Sequence, residues 1–179
     1  MRIMFGFWKK GRGTSLVDSL HERIVAQSRS PVLYLGGLPD TVEGRFEALA
    51  LHVLLVLRRL RHLPAPADDV AQELVDHVFA HLEIALREVG IGDMGIPKRM
   101  KKIAGAFYDR TRLYDPPIEA RDAQALAAEL AGHLGMEAGT LLPLARYCLE
   151  SEAILSGFEL DAILAGPRFA ELKIVEVVA

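Results

Sequence analysis

The chain has 179 residues, of which 51% are hydrophobic and 25% charged, and its formal net charge is -3. This length suits one folded unit with a large core, and the composition excludes an intrinsically disordered chain. No apolar run approaches the roughly 20 residues of a membrane-spanning helix. The slightly acidic balance argues against specific DNA binding, and a single cysteine, Cys148, excludes an internal disulfide and fits a reducing compartment such as the cytoplasm.

The first 13 residues combine aromatic and basic side chains, and we expect this segment to be flexible. Aromatic residues beside cations are typical of loose attachment to a membrane surface. The alternatives are a disordered start or aromatic side chains folded onto the core. The segment is too short for a signal-peptide core, so we expect a cytoplasmic protein, at most peripheral on the cytoplasmic side of the inner membrane. The candidate membrane-surface residues are Phe5, Phe7, Trp8, Lys9 and Lys10.

Residues 14–179 are predicted to form a single all-α domain of about six to seven helices with a short extended C-terminal tail. Apolar side chains recur at helical spacing between clusters of glycine and proline. The segment 41–63 should be the central helix, because its apolar positions extend nearly all round. The predicted helices cover residues 15–28, 41–63, 68–89, 97–114, 123–134 and 140–155, and the tail covers residues 173–178.

Several residues predict where these helices begin and end. Gly90 should end the predicted helix 68–89 in a left-handed conformation, and Asp93 should cap the next helix. Pro97 and Pro143 should lie in first turns, where a proline is tolerated. The run Asp115-Pro116-Pro117 should break the helix that precedes it.

The run Gly90-Ile91-Gly92-Asp93-Met94-Gly95 matches the dinucleotide-binding pattern G-x-G-x-x-G. That pattern binds a pyrophosphate only between a strand and a helix. Here a long helical pattern precedes it, so we expect an interhelical loop. Cys148 lies on the apolar stripe of its helix and should be a buried, inert thiol. No serine has the setting of a catalytic nucleophile.

Two histidines could present metal or haem ligands. His77 and His81 lie four residues apart on one helical face, with Glu73 one turn earlier. The sequence lacks the H-E-x-x-H motif of zinc proteases. One alternative function is a metal- or haem-binding helical protein that uses His77 and His81, and another is a membrane-surface adaptor. The structural alternative is that these histidines only satisfy local hydrogen bonds.

The helix opened by Pro97 is the most informative segment. Met100, Ile103 and Phe107 should pack inward, and the opposite face is strongly basic. Such a local cluster in an acidic protein indicates a site for an anionic partner: an acidic protein segment, ribosomal RNA or lipid headgroups. The alternative is a solvated helix face. The candidate partner-binding residues are Lys98, Arg99, Lys101, Lys102, Arg110 and Arg112.

A long signature in the same region resembles the ubiquinol–cytochrome c chaperone family. It runs through residues 86–94, 97–102 and 106–110 to Tyr114, and the upstream block Gly44-Arg45-Phe46-Glu47 with His52 is also similar. The resemblance implies a helical assembly factor for the cytochrome bc complex that holds newly made cytochrome b. It implies no catalytic residues, no cofactor and no small-molecule substrate.

The resemblance also suggests who the partners are. Mitochondrial members of the family work with a small partner protein at the ribosomal tunnel exit and carry a long targeting extension, which this sequence does not show. We therefore expect a bacterial member and a non-enzyme. It should bind cytochrome b through the basic helix and an adjacent apolar surface, with the ribosome and an anionic membrane surface as further candidate partners.

Overall fold

The computed structural model of the protein describes residues 13–173, with side chains from residue 16 onward. Within this range the fold is all-α, with eight helices and no strand, which confirms the predicted fold class. Six long helices match the six predicted segments, and α2 and α8 are additional helices of five and six residues. The helices are α1 Gly13–Ser28, α2 Pro31–Leu35, α3 Val42–Arg61, α4 Ala67–Glu88, α5 Ile96–Glu119, α6 Ala123–Leu134, α7 Ala138–Leu155 and α8 Leu160–Ala165.

Helix α3 is the centre of the fold, as predicted. It contacts α1, α4, α5 and α7. Its residues 51–56 are each at most 1% exposed, because apolar side chains occupy every side of the helix. One polar residue, His52, lies within this run. Its Nδ1 donates to the Ala48 carbonyl (2.6 Å), so Nε2 is the acceptor and receives the Tyr147 hydroxyl proton (2.7 Å). This bond ties α3 to α7.

The remaining helices cover this centre. Helices α6 and α7 form an antiparallel pair that packs on α3 and α5. Asp122 caps α6 by accepting hydrogen bonds from the amides of Gln124 and Ala125, both at 2.9 Å, and Gly135 ends it in the left-handed region with φ 64°. Beyond α8 the chain runs without regular structure, and the Ala170 amide donates to the Ser151 hydroxyl on α7 (3.0 Å). Residues 174–179, most of the predicted tail, lie outside the described range.

Some predicted boundaries are correct and others are wrong. Gly90 follows the end of α4 with φ 84°, and the G-x-G-x-x-G run is the loop between α4 and α5, both as predicted. Asp93 does not cap α5. Gly95 is the N-cap residue without a side-chain bond, and the Asp93 carboxylate pairs with Arg87 instead. The first helix begins at Gly13 instead of Ser15, and Pro143 lies in the second turn of α7 because that helix begins at Ala138.

The predicted break at Asp115-Pro116-Pro117 is also wrong, since α5 continues through both prolines to Glu119. Each proline removes one backbone hydrogen bond from the helix. Tertiary contacts compensate for this loss. Pro117 and Ile118 are buried, and Asp115 and Glu119 both accept hydrogen bonds from Arg58 of α3. Within residues 13–173, no helix combines the length and the apolar character needed to span a bilayer.

Gly44 in the first turn of α3 marks a close approach of two backbone segments. A Cβ atom at this position would lie 1.9 Å from the Pro39 carbonyl oxygen. Because that oxygen belongs to the backbone, it cannot move aside as a flexible side chain would. The Thr41 hydroxyl meanwhile accepts a hydrogen bond from the Gly44 amide (3.1 Å), which fixes the start of the helix at this point.

We therefore expect Gly44→Ala to lower the free energy of unfolding by about 2 kcal/mol or more, because the new methyl group overlaps the Pro39 carbonyl. Gly105→Ala is the matched control. A Cβ at this exposed position of α5 meets no atom within 4 Å, so alanine should raise stability by about 0.5–1 kcal/mol. Urea denaturation of both variants checks the pair, and a neutral Gly44→Ala would contradict the close approach.

Candidate partner-binding surface

Helix α5 exposes a group of cations on its outer side, which we term the cationic face. Lys98, Arg99, Lys101 and Lys102 are exposed, and in the described part of the chain none of the four forms an ion pair with a carboxylate. Arg112 is also exposed and lies 3.9 Å from Asp109. The cationic face comprises Lys98, Arg99, Lys101, Lys102 and Arg112.

The position of these cations opposes the electrostatics of the helix itself. The N-terminus of a helix carries a partial positive charge and favours acidic side chains. Helices α3 and α4 follow this rule with Glu43, Asp68 and Asp69 in their first turns. Helix α5 has no acidic residue in its first turn and begins with four cations within seven residues. Helix stability therefore does not explain why the cations lie here. An anionic partner would offset their repulsion by the positive end of the helix dipole.

Arg110 does not share this surface, although the sequence placed it among the partner-binding residues. Its side chain is buried, and its guanidinium donates to one oxygen of Glu47 on α3, at 2.8 Å from Nε and 2.7 Å from Nη2. The guanidinium also covers the Phe46 ring, with 4.9 Å to the ring centroid. Arg110 therefore positions α5 and is not available to a partner.

The Glu47 carboxylate is fully buried, and hydrogen bonds replace the water it has lost. Arg110 binds one carboxylate oxygen, and the Tyr114 hydroxyl donates to the other (2.6 Å). Burial, together with the adjacent Glu47 charge, raises the pKa of Tyr114, so the tyrosine stays a donor. Arg110 and Tyr114 are four residues apart and therefore share one side of α5. Their common partner fixes the rotation of the helix and turns Lys101 and Arg112, on the opposite side, outward. Arg99 lies about three turns before Arg110, on nearly the same side, and is exposed as well.

A second set of ion pairs holds the far end of α5. Arg58 of α3 donates to Asp115 and, at 2.9 Å, to Glu119, and Arg61 donates to Asp115 at 2.9 Å. Burial alone would raise the pKa of Asp115, but the hydrogen bonds from Arg61 and Arg58 outweigh it and lower the pKa. A cleft of about 300 Å³ lies beside these residues, and its lining is mainly charged. None of the residues that line the cleft belongs to the cationic face, so the two are distinct.

The two histidines considered as ligands lie at the packed interface of α1 and α4. Their rings are 5.0 Å apart, and the His21 ring of α1 lies 4.3 Å from His81 and 5.6 Å from His77. His77 Nε2 contacts Asp18, and His81 Nδ1 donates to the His77 carbonyl (2.9 Å). Among residues 13–173, no group of three or more His, Cys, Asp or Glu side chains has an arrangement that could hold a metal ion. These histidines instead pack against one another.

The other residues weighed from the sequence have structural surroundings. Cys148 has no exposure, and burial raises the pKa of its thiol, as expected for an inert cysteine. The candidate membrane-surface residues lie outside the described range, so their role stays a prediction; they are Phe5, Phe7, Trp8, Lys9 and Lys10. The burial of Arg110 could have been found from the sequence, because Phe107, Arg110 and Tyr114 are three and then four residues apart on one helical stripe.

We expect Arg110→Met to lower the free energy of unfolding by about 3 kcal/mol or more, because it leaves the Glu47 carboxylate buried without its cation. Lys101→Met is the control on the same helix, and at an exposed position it should change stability by less than about 0.5 kcal/mol. Urea denaturation measures both. Equal stability of the two variants would mean that the Glu47–Arg110 pair is not buried in solution.

Stability should also fall in mild acid. The pKa values of His21 and His52 fall from 6.5 to about 4, mainly because both side chains are buried, and for His21 the charges of His81 and His77 contribute to the lowering. Between these pH values the unfolded chain binds more protons than the folded one, so unfolding becomes easier as pH falls from 6.5 towards 4. Fully buried His52 alone should account for roughly 3 kcal/mol over the window.

Urea denaturation at about pH 7 and about pH 5 measures this effect. His21→Leu should reduce the difference between the two conditions, whereas His62→Gln, a change at an exposed position, should leave it as in the wild type. A wild-type midpoint that does not move between these conditions would contradict the prediction.

Comparison with known proteins agrees with the fold and the signature. The family model for the ubiquinol–cytochrome c chaperone matches residues 35–169. Among solved structures, the crystal structure of the Cbp3 homolog from the bacterium Brucella abortus is similar with a TM-score of 0.81 and 36% sequence identity, over 93% of this chain and 95% of that chain. No curated protein matches the sequence. Since the family model covers most of its length, this chain belongs to the ubiquinol–cytochrome c chaperone family.

Proposed function

We propose that this protein binds newly made cytochrome b and assists its assembly into the ubiquinol–cytochrome c reductase complex. Membership of the chaperone family supports a role in bc complex assembly. The observation that carries the finer proposal is the cationic face of a molecule whose formal net charge is -3. Four of its five cations form no ion pair with a carboxylate among residues 13–173, and the Glu47–Arg110 pair fixes the rotation of the helix that bears them. Such a surface attracts an anionic segment of a partner.

An apolar surface next to the cations completes the proposed site. Tyr108, on the same side of α5, is 61% exposed, although large aromatic side chains usually pack inside. Tyrosine contributes both apolar area and a hydroxyl at protein interfaces. A newly made membrane protein presents apolar helices next to charged loops. A surface with cations and an exposed aromatic ring can hold such a client by binding alone, without catalysis.

The other predicted partners would meet the same residues. Ribosomal RNA and anionic headgroups both carry phosphate, which lysine and arginine bind. We propose that the protein is peripheral on the cytoplasmic side of the inner membrane, where it would act close to newly made cytochrome b. The protein is proposed to act as a binding protein and not as an enzyme.

Site-specific photo-crosslinking in cells tests the proposal. A crosslinker at Lys98, Lys101 or Arg112 should capture cytochrome b, whereas a crosslinker at exposed Arg146 of α7 should not. Capture of other proteins from the first three positions, with cytochrome b absent, would contradict the proposal.

Charge reversal gives a second prediction. Lys98, Lys101 and Lys102 changed together to Glu should leave the free energy of unfolding nearly unchanged, because the side chains are exposed. Capture of cytochrome b should fall at least about tenfold, because the attractive potential is reversed. The matched control reverses three exposed cations elsewhere, Arg29, Arg146 and Lys173, and has the same net charge. If both triple variants lose capture equally, the cationic face is not the client surface.

A further inference from the structure

The corner between α4 and α5 exposes large apolar side chains that the proposed client surface does not use. Val89 at the end of α4 is 73% exposed, and Met94 just before α5 is 97% exposed. A fully exposed methionine gains nothing from folding, because its side chain stays in water. Both residues lie in the short connection between two long helices, so the fold presents them together at one end of the molecule.

The corner is a compact turn and not an extended loop. The Ile91 amide donates to the Leu86 carbonyl (3.2 Å), and the Gly95 amide donates to the Gly92 carbonyl (2.8 Å). Arg87 pairs with Asp93 across the turn and with Glu83 on α4. These bonds hold the connection in shape, and the single charge of Arg87 offsets one of the two carboxylates that it contacts. Glu88 remains as an exposed acid at the end of α4.

The cations of the cationic face begin one turn after Met94. Lys98, Lys101 and Lys102 follow it on the outer side of α5, and their side chains form no ion pair within the described part of the chain. The corner therefore has two exposed apolar side chains, which we term the apolar tip, followed along the chain by three exposed lysines. This is the composition of segments that insert apolar side chains among the headgroups of an anionic bilayer while lysines contact the phosphates.

We propose that the α4–α5 corner docks on an anionic phospholipid surface, with Val89 and Met94 inserted and Lys98, Lys101 and Lys102 at the headgroups. An RNA partner would satisfy the cations but would leave both apolar side chains in water, so the exposed tip favours a bilayer. This inference goes beyond client binding. It gives the chaperone a position at the membrane from which Tyr108 and Arg112, further along α5, stay accessible.

Flotation of the full chain with protein-free vesicles tests the docking. The protein should float with vesicles that contain phosphatidylglycerol in phosphatidylcholine and not with phosphatidylcholine alone, and added salt should weaken the binding. Val89→Asp with Met94→Asp should lower partitioning at least about tenfold, because charged side chains do not enter the bilayer. Reversal of Lys98, Lys101 and Lys102 to Glu should lower it on the order of 100-fold, since each lysine near the surface contributes about a fivefold factor.

The matched control is again the triple reversal at Arg29, Arg146 and Lys173, which should float like the wild type. Residues 1–12 are identical in every variant, so differences in flotation arise from the changed side chains. Circular dichroism confirms that each variant is folded. Failure of the wild type to float, unchanged flotation of the Val89/Met94 variant, or an equal loss in the control would each overturn the proposal.

A fluorescent label shows insertion directly. The native Cys148 is fully buried with a raised thiol pKa, so a cysteine placed at Met94 can be labelled selectively with an environment-sensitive dye. Anionic vesicles should shift its emission to the blue, whereas a label at exposed Ala153 of α7 should not respond. No shift at position 94, or equal shifts at both positions, would contradict insertion of the corner.

The docking proposal and the proposed function can fail separately in these tests. The vesicles contain no cytochrome b, and client capture can be measured in detergent, where no bilayer is present. The Val89/Met94 variant should lose flotation and keep client capture in detergent. A protein that captures cytochrome b but does not float would overturn the docking and leave the chaperone proposal in place; a protein that floats without capturing cytochrome b would do the reverse.

Discussion

The orientation of α5, and with it every exposed residue of the candidate surface, depends on one buried carboxylate. Glu47 lies on the central helix without access to solvent and accepts hydrogen bonds from Arg110 and Tyr114. A buried ion pair adds little net stability, because desolvation offsets the attraction, but a partner that moved away would leave an uncompensated charge. The pair therefore allows only one rotation of α5 against α3. Since Lys101 lies on the side opposite Arg110, this rotation sends Lys101 into solvent.

Both ends of the same helix carry residues that oppose helix formation. Its first turns carry cations next to the positive end of the helix dipole, and its last turns contain two prolines. The Arg58 pairs with Asp115 and Glu119 and the burial of Ile118 hold the proline end against α3. The cationic end has no comparable compensation within residues 13–173. A local rule that is broken without an internal compensation is characteristic of a functional surface, which is why we assign partner binding to this end.

Assembly chaperones act by binding, and the shifted titratable groups of this protein have surroundings that suit structure more than chemistry. His52 is held neutral between Ala48 and Tyr147, and the Cys148 thiol is buried. The polar groups within the core connect helices: Tyr147 joins α7 to α3 and, through Gln27, to α1. Such bonds are directional, so they select one packing of a core that is otherwise mainly aliphatic. A fold built in this way presents a fixed exterior.

The fold class, the six long helices and the central place of α3 follow from the sequence, because apolar side chains at helical spacing indicate a helix without any knowledge of its neighbours. The sequence also determined the family, since the signature around residues 86–114 is long, and the basic character of α5. Helical spacing places Arg110 on the stripe of Phe107 and Tyr114, but the partner that keeps this arginine buried is visible in the tertiary structure alone. Arg110 faces inward because Glu47 lies 63 residues earlier on another helix, and no local pattern reports that distance in space. The helix through Pro116 and Pro117 and the exposure of Val89 and Met94 were decided in the same way. Each depends on what the neighbouring helices place beside the residue, and local propensity is too weak to determine that outcome.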